Sequence, residues 1–210
     1  MKTLLKYPIV EIFFSLQGEG YNTGKAVVFI RFGRCNLACA WCDTHYDDYQ
    51  WLDADAIMAQ LERFDCRAVI LTGGEPLIQE NLLPFLTRLK DLGFWIGVET
   101  NGLQAPTEAI RAGIDYLAVS PKADYATRYV PERIIRTADE MRIVVTGEVE
   151  LFCESMRQLI CAEHYFLSPC ERKGHFNLEE TVRLLGRLNG SRSCDKWLLS
   201  LQIHKLAGFR

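Results

Sequence analysis

Three cysteines, Cys35, Cys39 and Cys42, lie close together in the stretch CNLACAWC. Thiolates are soft ligands that suit zinc or iron–sulfur clusters. Structural zinc sites and ordinary clusters take four protein ligands, so three cysteines in one loop leave one iron of a four-iron cluster open to a small molecule. The alternatives are a zinc site completed by His45 or three reduced core cysteines. The spacing favours the cluster.

Short polar motifs follow several apolar runs of the chain. GGEP (Gly73–Pro76) offers glycines that let a ligand approach the backbone, and its Glu75 can accept hydrogen bonds from an ammonium group. ETNG (Glu99–Gly102), SPK (Ser120–Lys122) and SPC (Ser168–Cys170) follow later runs. Each motif alone is a plausible turn. Their repeated placement at strand ends predicts that they face a common ligand.

The elements that must position these motifs alternate between strands and helices. This alternation predicts a parallel sheet. We expect a partial, incomplete TIM-like (β/α)6-type barrel with mainly parallel strands, and a flat doubly wound sheet is the alternative. The predicted strands are Ala26–Phe32, Ala68–Thr72, Trp95–Thr100, Tyr116–Ser120, Met141–Val145, His164–Ser168 and Trp197–Leu201. The predicted helices run from Asp53 to Arg63, Leu82 to Leu92, Glu150 to Cys161 and Asn177 to Leu188, with a short one from Thr107.

Length and composition limit the classes of protein that fit. The 210 residues show no linker, which predicts one domain over residues 1–210. The net charge is -3 and no basic run is present, so we expect no nucleic-acid partner. No apolar run approaches the ~20 residues of a membrane span, and the N-terminus predicts no secretory signal. Eight cysteines without an export signal favour the reducing cytoplasm and a metal or cluster site.

The CxxxCxxC spacing followed by GGEP resembles the radical S-adenosylmethionine superfamily. The resemblance implies a [4Fe-4S] cluster on Cys35, Cys39 and Cys42. Its open iron would chelate the amino and carboxylate groups of S-adenosylmethionine, and electron transfer would release a 5′-deoxyadenosyl radical. The implied cofactor-binding residues are Trp41, Cys42, Asp43, Gly74, Glu75, Asn101, Ser120, Pro121, Lys122, Ser168 and Cys170.

Further motifs resemble one family within that superfamily, the 7-carboxy-7-deazaguanine synthases. They are EIFFSLQGEG (Glu11–Gly20), Arg31, CDT (Cys42–Thr44) and LQIHK (Leu201–Lys205), so the resemblance covers nearly the whole chain. It implies conversion of 6-carboxy-5,6,7,8-tetrahydropterin to 7-carboxy-7-deazaguanine with loss of ammonia, a step towards queuosine. It also implies a magnesium ion, a homodimer and a flavodoxin- or ferredoxin-type reductant.

The same resemblance assigns substrate and magnesium residues. Thr44 would ligate magnesium through its hydroxyl, although Asp43 and Thr44 are also typical turn-forming residues. Arg31 offers a planar fork to a carboxylate, but a salt bridge at the strand end is equally expected from the residue alone. His204 alone is more typical of a structural histidine. The implied substrate-binding residues are Leu16, Gln17, Gly18, Glu19, Arg31, Thr72, His204 and Arg210.

Two other functions remain open from the residues. A radical activase that places a glycyl radical on a partner protein needs a docking surface rather than a pterin pocket, and the small-molecule motifs disfavour it. A zinc- or cluster-binding protein without catalysis is the other. Arg34, before the first cysteine, replaces a glycine common in relatives. We expect the remaining cysteines not to be cluster ligands: Cys66, Cys153, Cys161, Cys170 and Cys194.

Overall fold

The computed structural model describes residues 5–172, 174–190 and 196–209. These residues form two compact units. Unit 1 comprises Met1–Gln17, Gly24–Thr100 and Pro106–Leu117, and unit 2 comprises Gly18–Thr23, Asn101–Ala105 and Ala118–Arg210, within the described ranges. The single domain expected over residues 1–210 stays a prediction.

The sheet of unit 1 has five strands in the order β5-β4-β2-β1-β3. The inner pairs β2·β4 and β4·β5 are parallel, whereas β1 pairs antiparallel with both β2 and β3. Parallel strands place successive carboxyl ends at one edge of the sheet, which is where the polar motifs follow. The strands are β1 (Lys6–Leu16), β2 (Ala26–Phe32), β3 (Gln50–Asp53), β4 (Ala68–Gly73) and β5 (Trp95–Thr100).

Apolar residues cover both faces of this sheet, as parallel sheets require. On one face Val27, Phe29, Ala68 and Ile70 form a buried cluster. The helices of unit 1 are α1 (Ala54–Leu61), begun by the carboxylate of Asp53, α2 (Leu82–Asp91), which buries four apolar residues, and α3 (Glu108–Ala112).

In unit 2 the strands run in the order β11-β8-β7-β6, and all three neighbouring pairs are parallel. They are β6 (Tyr116–Val119), whose last two residues belong to this unit, β7 (Thr137–Val145), β8 (Cys161–Pro169) and β11 (Trp197–Leu199). β9 (Glu171–Arg172) and β10 (His175–Phe176) form a separate antiparallel pair. The helices are α4 (Glu150–Leu159), α5 (Leu178–Gly190) and α6 (Ile203–Leu206).

The predicted class is confirmed as an α/β protein with mainly parallel strands, but several elements differ from the prediction. β1 was not predicted, although its residues Glu11 to Leu16 carry a predicted motif. β3 and the four-residue α6 were also missed. β7 begins at Thr137 rather than Met141, which places Glu140 inside the strand. The helix expected to reach Cys161 ends at Leu159.

No helix in the described part of the chain combines the length and the hydropathy of a membrane span.

Candidate active site

The three clustered cysteines follow β2 in one loop of unit 1. All three are free thiols: Cys35 and Cys39 are half-buried and Cys42 is exposed. A turn closes the loop, because the N–H of Cys42 donates to the carbonyl of Cys39 at 3.1 Å. Three free thiols on one loop are the donor set that a cluster with one open iron needs. Trp41 is half-buried and Asp43 is exposed in the same loop.

The environment of Cys35 favours its neutral form in the absence of metal. Burial raises the pKa of the Cys35 thiol, the backbone N–H of Leu37 opposes this rise, and the charges of Glu75 and Cys42 add to it. Metal binding must therefore displace a proton from Cys35. Among residues 5–172, 174–190 and 196–209, no three His, Cys, Asp or Glu side chains are gathered in a way that suits one metal ion.

The two glycines of GGEP pack against the backbone that leads into the cysteine loop. A Cβ on Gly74 would lie 2.0 Å from the carbonyl oxygen of Arg34, and one on Gly73 would lie 2.3 Å from that of Phe32. Hydrogen bonds join the same segments, from the N–H of Gly74 to Phe32 and from that of Glu75 to Arg34. These glycines therefore allow the chain to approach itself closely at this point.

Glu75 is fully buried and its carboxylate holds the start of the next turn. Oε1 accepts hydrogen bonds from the N–H of Leu77 at 3.0 Å and from the hydroxyl of Thr100 at 2.7 Å. Gln79, which the sequence did not single out, donates to the carbonyls of Gly33 and Glu75. Glu75 therefore keeps a fixed orientation directly beyond β4, beside the cysteine loop.

Two predicted substrate residues of unit 1 meet on one carboxylate. Gln17 donates from Nε2 to Glu99 Oε1 at 3.0 Å, and Thr72 donates from Oγ1 to Glu99 Oε2 at 2.9 Å. Gln17 is buried and Thr72 is half-buried. The sequence predicted no role for Glu99 itself, and its position at the end of β5 was the available signal. Its carboxylate fixes which way the amide of Gln17 faces.

Arg31 lies opposite Glu11 in the antiparallel β1·β2 pair. Its Nε donates to Glu11 Oε1 at 2.8 Å, and its Nη1 donates to the hydroxyl of Thr44 at 2.9 Å. The structure therefore brings together the predicted carboxylate-binding and magnesium-binding residues. It also shows the strand-end salt bridge that was the alternative for Arg31. Because the guanidinium is next to Thr44, a cation there needs an anionic group nearby.

Three predicted cofactor residues of unit 2 gather around Tyr129. The Nζ of Lys122 donates to Ser120 Oγ at 2.8 Å. The backbone N–H of Lys122 donates to the Tyr129 hydroxyl at 2.7 Å, which itself donates to the carbonyl of Asn101 at 3.0 Å. Asn101 Oδ1 accepts from the N–H of Leu103, the turn that its residue type favours. Tyr129 links these motifs and was missed.

The segment Gly18–Tyr21, here called the glycine loop, owes its glycines to close packing in unit 2. A Cβ on Gly18 would lie 1.9 Å from Nδ1 of His204. Gly20 has a φ of 68°, and its Cβ would lie 2.2 Å from a carboxylate oxygen of Glu140. The predicted His204 is thus a direct neighbour of the predicted Gly18, and its helix α6 donates from the N–H of Ile203 to the Gly18 carbonyl at 3.1 Å.

The carboxylate of Glu19 is held from two sides. Its Oε1 accepts from Gln202 Nε2 at 2.9 Å, and its Oε2 accepts from Ser168 Oγ at 3.5 Å. Arg142 Nη1 lies 3.5 Å from the same Oε2. Arg142 and Glu140 were not predicted as site residues, although a charge inside MRIVV was a visible signal. The carboxylate of Glu19 is therefore oriented beside Ser168, another predicted residue.

Cys170, predicted to bind the cofactor, is buried in unit 2. Its thiol lies 3.7 Å from the carbonyl of Glu171, to which it donates, and its N–H donates to Asn177 Oδ1. Pro121 is buried and Leu16 is half-buried at the end of β1. Arg210 and Cys194 lie outside the described residues. The cofactor and substrate roles given to individual residues remain predictions.

Comparison with known proteins assigns the family. The profile of the radical SAM superfamily matches residues 29–144, more than half of the chain. A 7-carboxy-7-deazaguanine synthase of Neisseria meningitidis serogroup B is 49% identical over 205 residues, covering 97% of this chain and 94% of the relative. That of Haemophilus influenzae is 48% identical over 202 residues, with 96% and 93% covered.

A solved structure shows the same fold. The crystal structure of QueE from Escherichia coli matches with a TM-score of 0.67 at 24% identity, and the match covers 93% of each chain. This agrees with the partial TIM-like barrel expected from the sequence. The level of identity to the Neisseria and Haemophilus relatives, sustained over almost the whole chain, establishes the closer relationship. The chain belongs to the 7-carboxy-7-deazaguanine synthase family of the radical SAM superfamily.

Proposed function

We propose that this chain converts 6-carboxy-5,6,7,8-tetrahydropterin to 7-carboxy-7-deazaguanine and ammonia, using a [4Fe-4S] cluster, S-adenosylmethionine and Mg²⁺. The observation that carries this proposal is the 49% identity, over 97% of the chain, to a relative of that name. The geometry agrees with this proposal, because the motifs specific to the family contain polar side chains that neighbouring residues already orient, among them Gln17, Glu19 and Arg31. Oriented polar groups suit a small polar substrate.

The cluster and its ligand would be held by residues of the predicted cofactor set. Cys35, Cys39 and Cys42 would supply the three thiolates, and the cluster would supply the electron for cleavage of S-adenosylmethionine. Glu75 keeps a buried carboxylate beyond β4, suited to an ammonium group. The remaining assignments of this set are Trp41, Asp43, Gly74, Asn101, Ser120, Pro121, Lys122, Ser168 and Cys170.

The substrate would be recognised by polar groups that are already oriented. Gln17 is oriented by Glu99, and its amide has both a donor and an acceptor that suit the edge of the pterin ring. Glu19, an anion, suits the pterin amino group. Arg31 suits the substrate carboxylate, since its fork can bind more than one acceptor. Thr72 and His204 are the other described contacts in this proposal, with the backbone of Leu16 and Gly18.

Thr44 would ligate Mg²⁺ together with substrate oxygens and water. The Arg31 guanidinium donates to the same hydroxyl. The substrate carboxylate, placed beside both groups, would offset the repulsion between two cations. Metal binding at Thr44 therefore depends on substrate binding.

The test is anaerobic reconstitution with iron and sulfide, followed by reductant, S-adenosylmethionine, Mg²⁺ and the tetrahydropterin. Mass spectrometry should show a product lighter than the substrate by one ammonia. Deoxyadenosine that accumulates without this product would refute the reaction but keep the superfamily chemistry. If no iron binds, or if S-adenosylmethionine leaves the electron paramagnetic resonance signal of the reduced cluster unchanged, the non-catalytic alternative is correct.

The partners and the compartment belong to the same proposal. A flavodoxin- or ferredoxin-type protein would supply the electrons, and two copies of the chain would form a homodimer. The free cysteines suit the reducing cytoplasm. Product formation with reduced flavodoxin in place of a chemical reductant tests the first, and the mass measured by light scattering tests the second.

A further inference from the structure

Strand β7 carries two buried charged side chains that the proposed function does not use. Glu140 is 1% exposed and Arg142 is 6% exposed, and as alternate residues of one strand they lie on the same face. Buried ion pairs lose hydration, and well-packed apolar side chains at such positions are often equally or more stabilising. Fold stability alone therefore does not explain this pair.

Both side chains are directed at the glycine loop. Glu140 Oε2 accepts a hydrogen bond from the N–H of Tyr21 at 2.8 Å. Arg142 Nη1 lies 3.5 Å from Glu19 Oε2 and 3.7 Å from Glu140 Oε1, so one guanidinium serves two carboxylates. The strand thus fixes the backbone of the loop through Glu140 and the side chain of Glu19 through Arg142.

The C-terminal segment fixes the same loop from a second direction. Ser200 Oγ accepts from the N–H of Gly20 at 2.9 Å, and Gln202 Nε2 donates to Glu19 Oε1 at 2.9 Å. Each oxygen of Glu19 therefore has its own cation or donor. A carboxylate held from both sides in this way cannot rotate freely.

We propose that Arg142 and Glu140 are positioning residues that determine specificity for the amino-bearing edge of the pterin. Arg142 keeps the Glu19 carboxylate oriented as an acceptor for the 2-amino group, and Glu140 sets the backbone from which Glu19 projects. The proposal rests on the proposed function, because it takes a pterin as the ligand of Glu19. A 2-oxo ring presents an acceptor to the Glu19 anion where a pterin presents a donor, so the site should reject it.

The test compares two non-reacting ligands, 6-carboxypterin and 6-carboxylumazine, which has an oxygen in place of the 2-amino group. Binding of each is measured by anaerobic calorimetry on the reconstituted protein with S-adenosylmethionine and Mg²⁺. Wild-type protein should prefer the pterin by about tenfold or more, the range that hydrogen bonds to charged groups give. Arg142→Met should reduce this preference to less than about threefold, and Arg142→Lys, which keeps the charge, should recover part of it.

A matched control removes a guanidinium elsewhere in unit 2. Arg183 lies exposed on α5 in a salt bridge with Glu179, so Arg183→Gln should keep the wild-type preference. A merely structural role for Arg142 would weaken both ligands equally and leave their ratio unchanged. Affinity for S-adenosylmethionine, measured in the same samples, should stay within about twofold of wild type in every variant.

Two results would overturn the inference. The first is that Arg142→Met prefers 6-carboxypterin to 6-carboxylumazine as strongly as wild type does. If Arg142→Met does not fold, Gln202→Leu replaces it, because this change removes the hydrogen bond to the other oxygen of Glu19 without leaving a buried charge. An unchanged preference in Gln202→Leu is the second result. Failure of the proposed function gives a different result, because wild-type protein would then form no product from the tetrahydropterin. That result is independent of how the variants bind the two analogues.

Discussion

Substituting Gly18 by alanine tests whether His204 and the glycine loop are packed as the structure shows. The added Cβ would lie 1.9 Å from His204 Nδ1, whereas ordinary contacts begin at 3.4 Å. The imidazole must therefore move by about 1.5 Å, the difference between these distances. Because His204 is part of α6, the movement also strains the hydrogen bond from Ile203 to the Gly18 carbonyl.

The expected cost combines two destabilising effects and one stabilising effect. Overpacking costs roughly 1–3 kcal/mol, and a strained hydrogen bond adds up to about 1 kcal/mol. Alanine lowers the entropy of the unfolded chain, which offsets about 0.4–1 kcal/mol. Taken at the middle of these ranges, Gly18→Ala should lower the free energy of unfolding by about 2 kcal/mol and the Tm by roughly 4–8 °C.

A double-mutant cycle with His204→Ala isolates the contact. All three nearest neighbours of the added Cβ are ring atoms of His204, so removing the ring removes the clash. In the His204→Ala background, Gly18→Ala should cost nothing or stabilise slightly. Urea unfolding of the cluster-free protein under reducing conditions gives the four free energies. Gly186→Ala, a helix position with no atom within 4 Å, is the control and should stabilise by up to about 1 kcal/mol. An equal cost of Gly18→Ala in both backgrounds would refute this packing.

Three further predictions concern other parts of the chain. Burial raises the pKa of Cys153 to about 12 from 9.0, so the stability that its buried thiol contributes is complete below pH 9 and is lost towards pH 12. The difference in free energy of unfolding between wild type and Cys153→Ala, measured by urea unfolding, should therefore shrink by about 1.4 kcal/mol per pH unit above pH 9. A constant difference would contradict this prediction. Arg34 has a φ of 63°, so Arg34→Gly should keep the free energy of unfolding within about 1 kcal/mol of wild type and should bind as much iron after reconstitution. Arg34→Val should lower the free energy of unfolding by about 1–2 kcal/mol more than glycine does, and a valine that is tolerated would exclude the left-handed backbone. Thr44→Ala should raise the Mg²⁺ concentration needed for half-maximal activity about tenfold without changing iron content, while Thr44→Ser should resemble wild type; an unchanged magnesium response removes Thr44 from the metal site.

The sequence was sufficient for the strands and helices that carry continuous apolar runs. β2, β4, β5 and the helices α2 and α5 follow closely from their patterns, because burial on both faces of a parallel sheet leaves an unmistakable apolar run. β1 was missed because its polar residues, among them Glu11, obscured the strand, although Glu11 is polar there to pair with Arg31. The four residues of α6 are too few to produce a period.

The partners of the site residues were harder to predict than the residues themselves. Glu99 and Tyr129 act on residues far along the chain, Glu99 on Gln17 and Tyr129 on Asn101. Such pairs depend on the order of the strands in the sheet and on their register. The local secondary-structure propensity of a segment gives no information on either. Gly74 shows the same limit, because the sequence did not indicate that its missing side chain also permits contact with the carbonyl of Arg34.

The glycine loop shows how a short motif can require residues distant from it. A flexible glycine-containing segment would lose much conformational entropy on binding substrate, which weakens affinity. Here Gly18 and Gly20 instead permit contacts too close for any other residue, with His204 and Glu140 respectively. Those contacts order the loop before substrate arrives, at the cost of burying charge on β7. Because each glycine is in close contact with one particular neighbour, a substitution in the loop, in β7 or in the C-terminal segment should require compensating substitutions in the others.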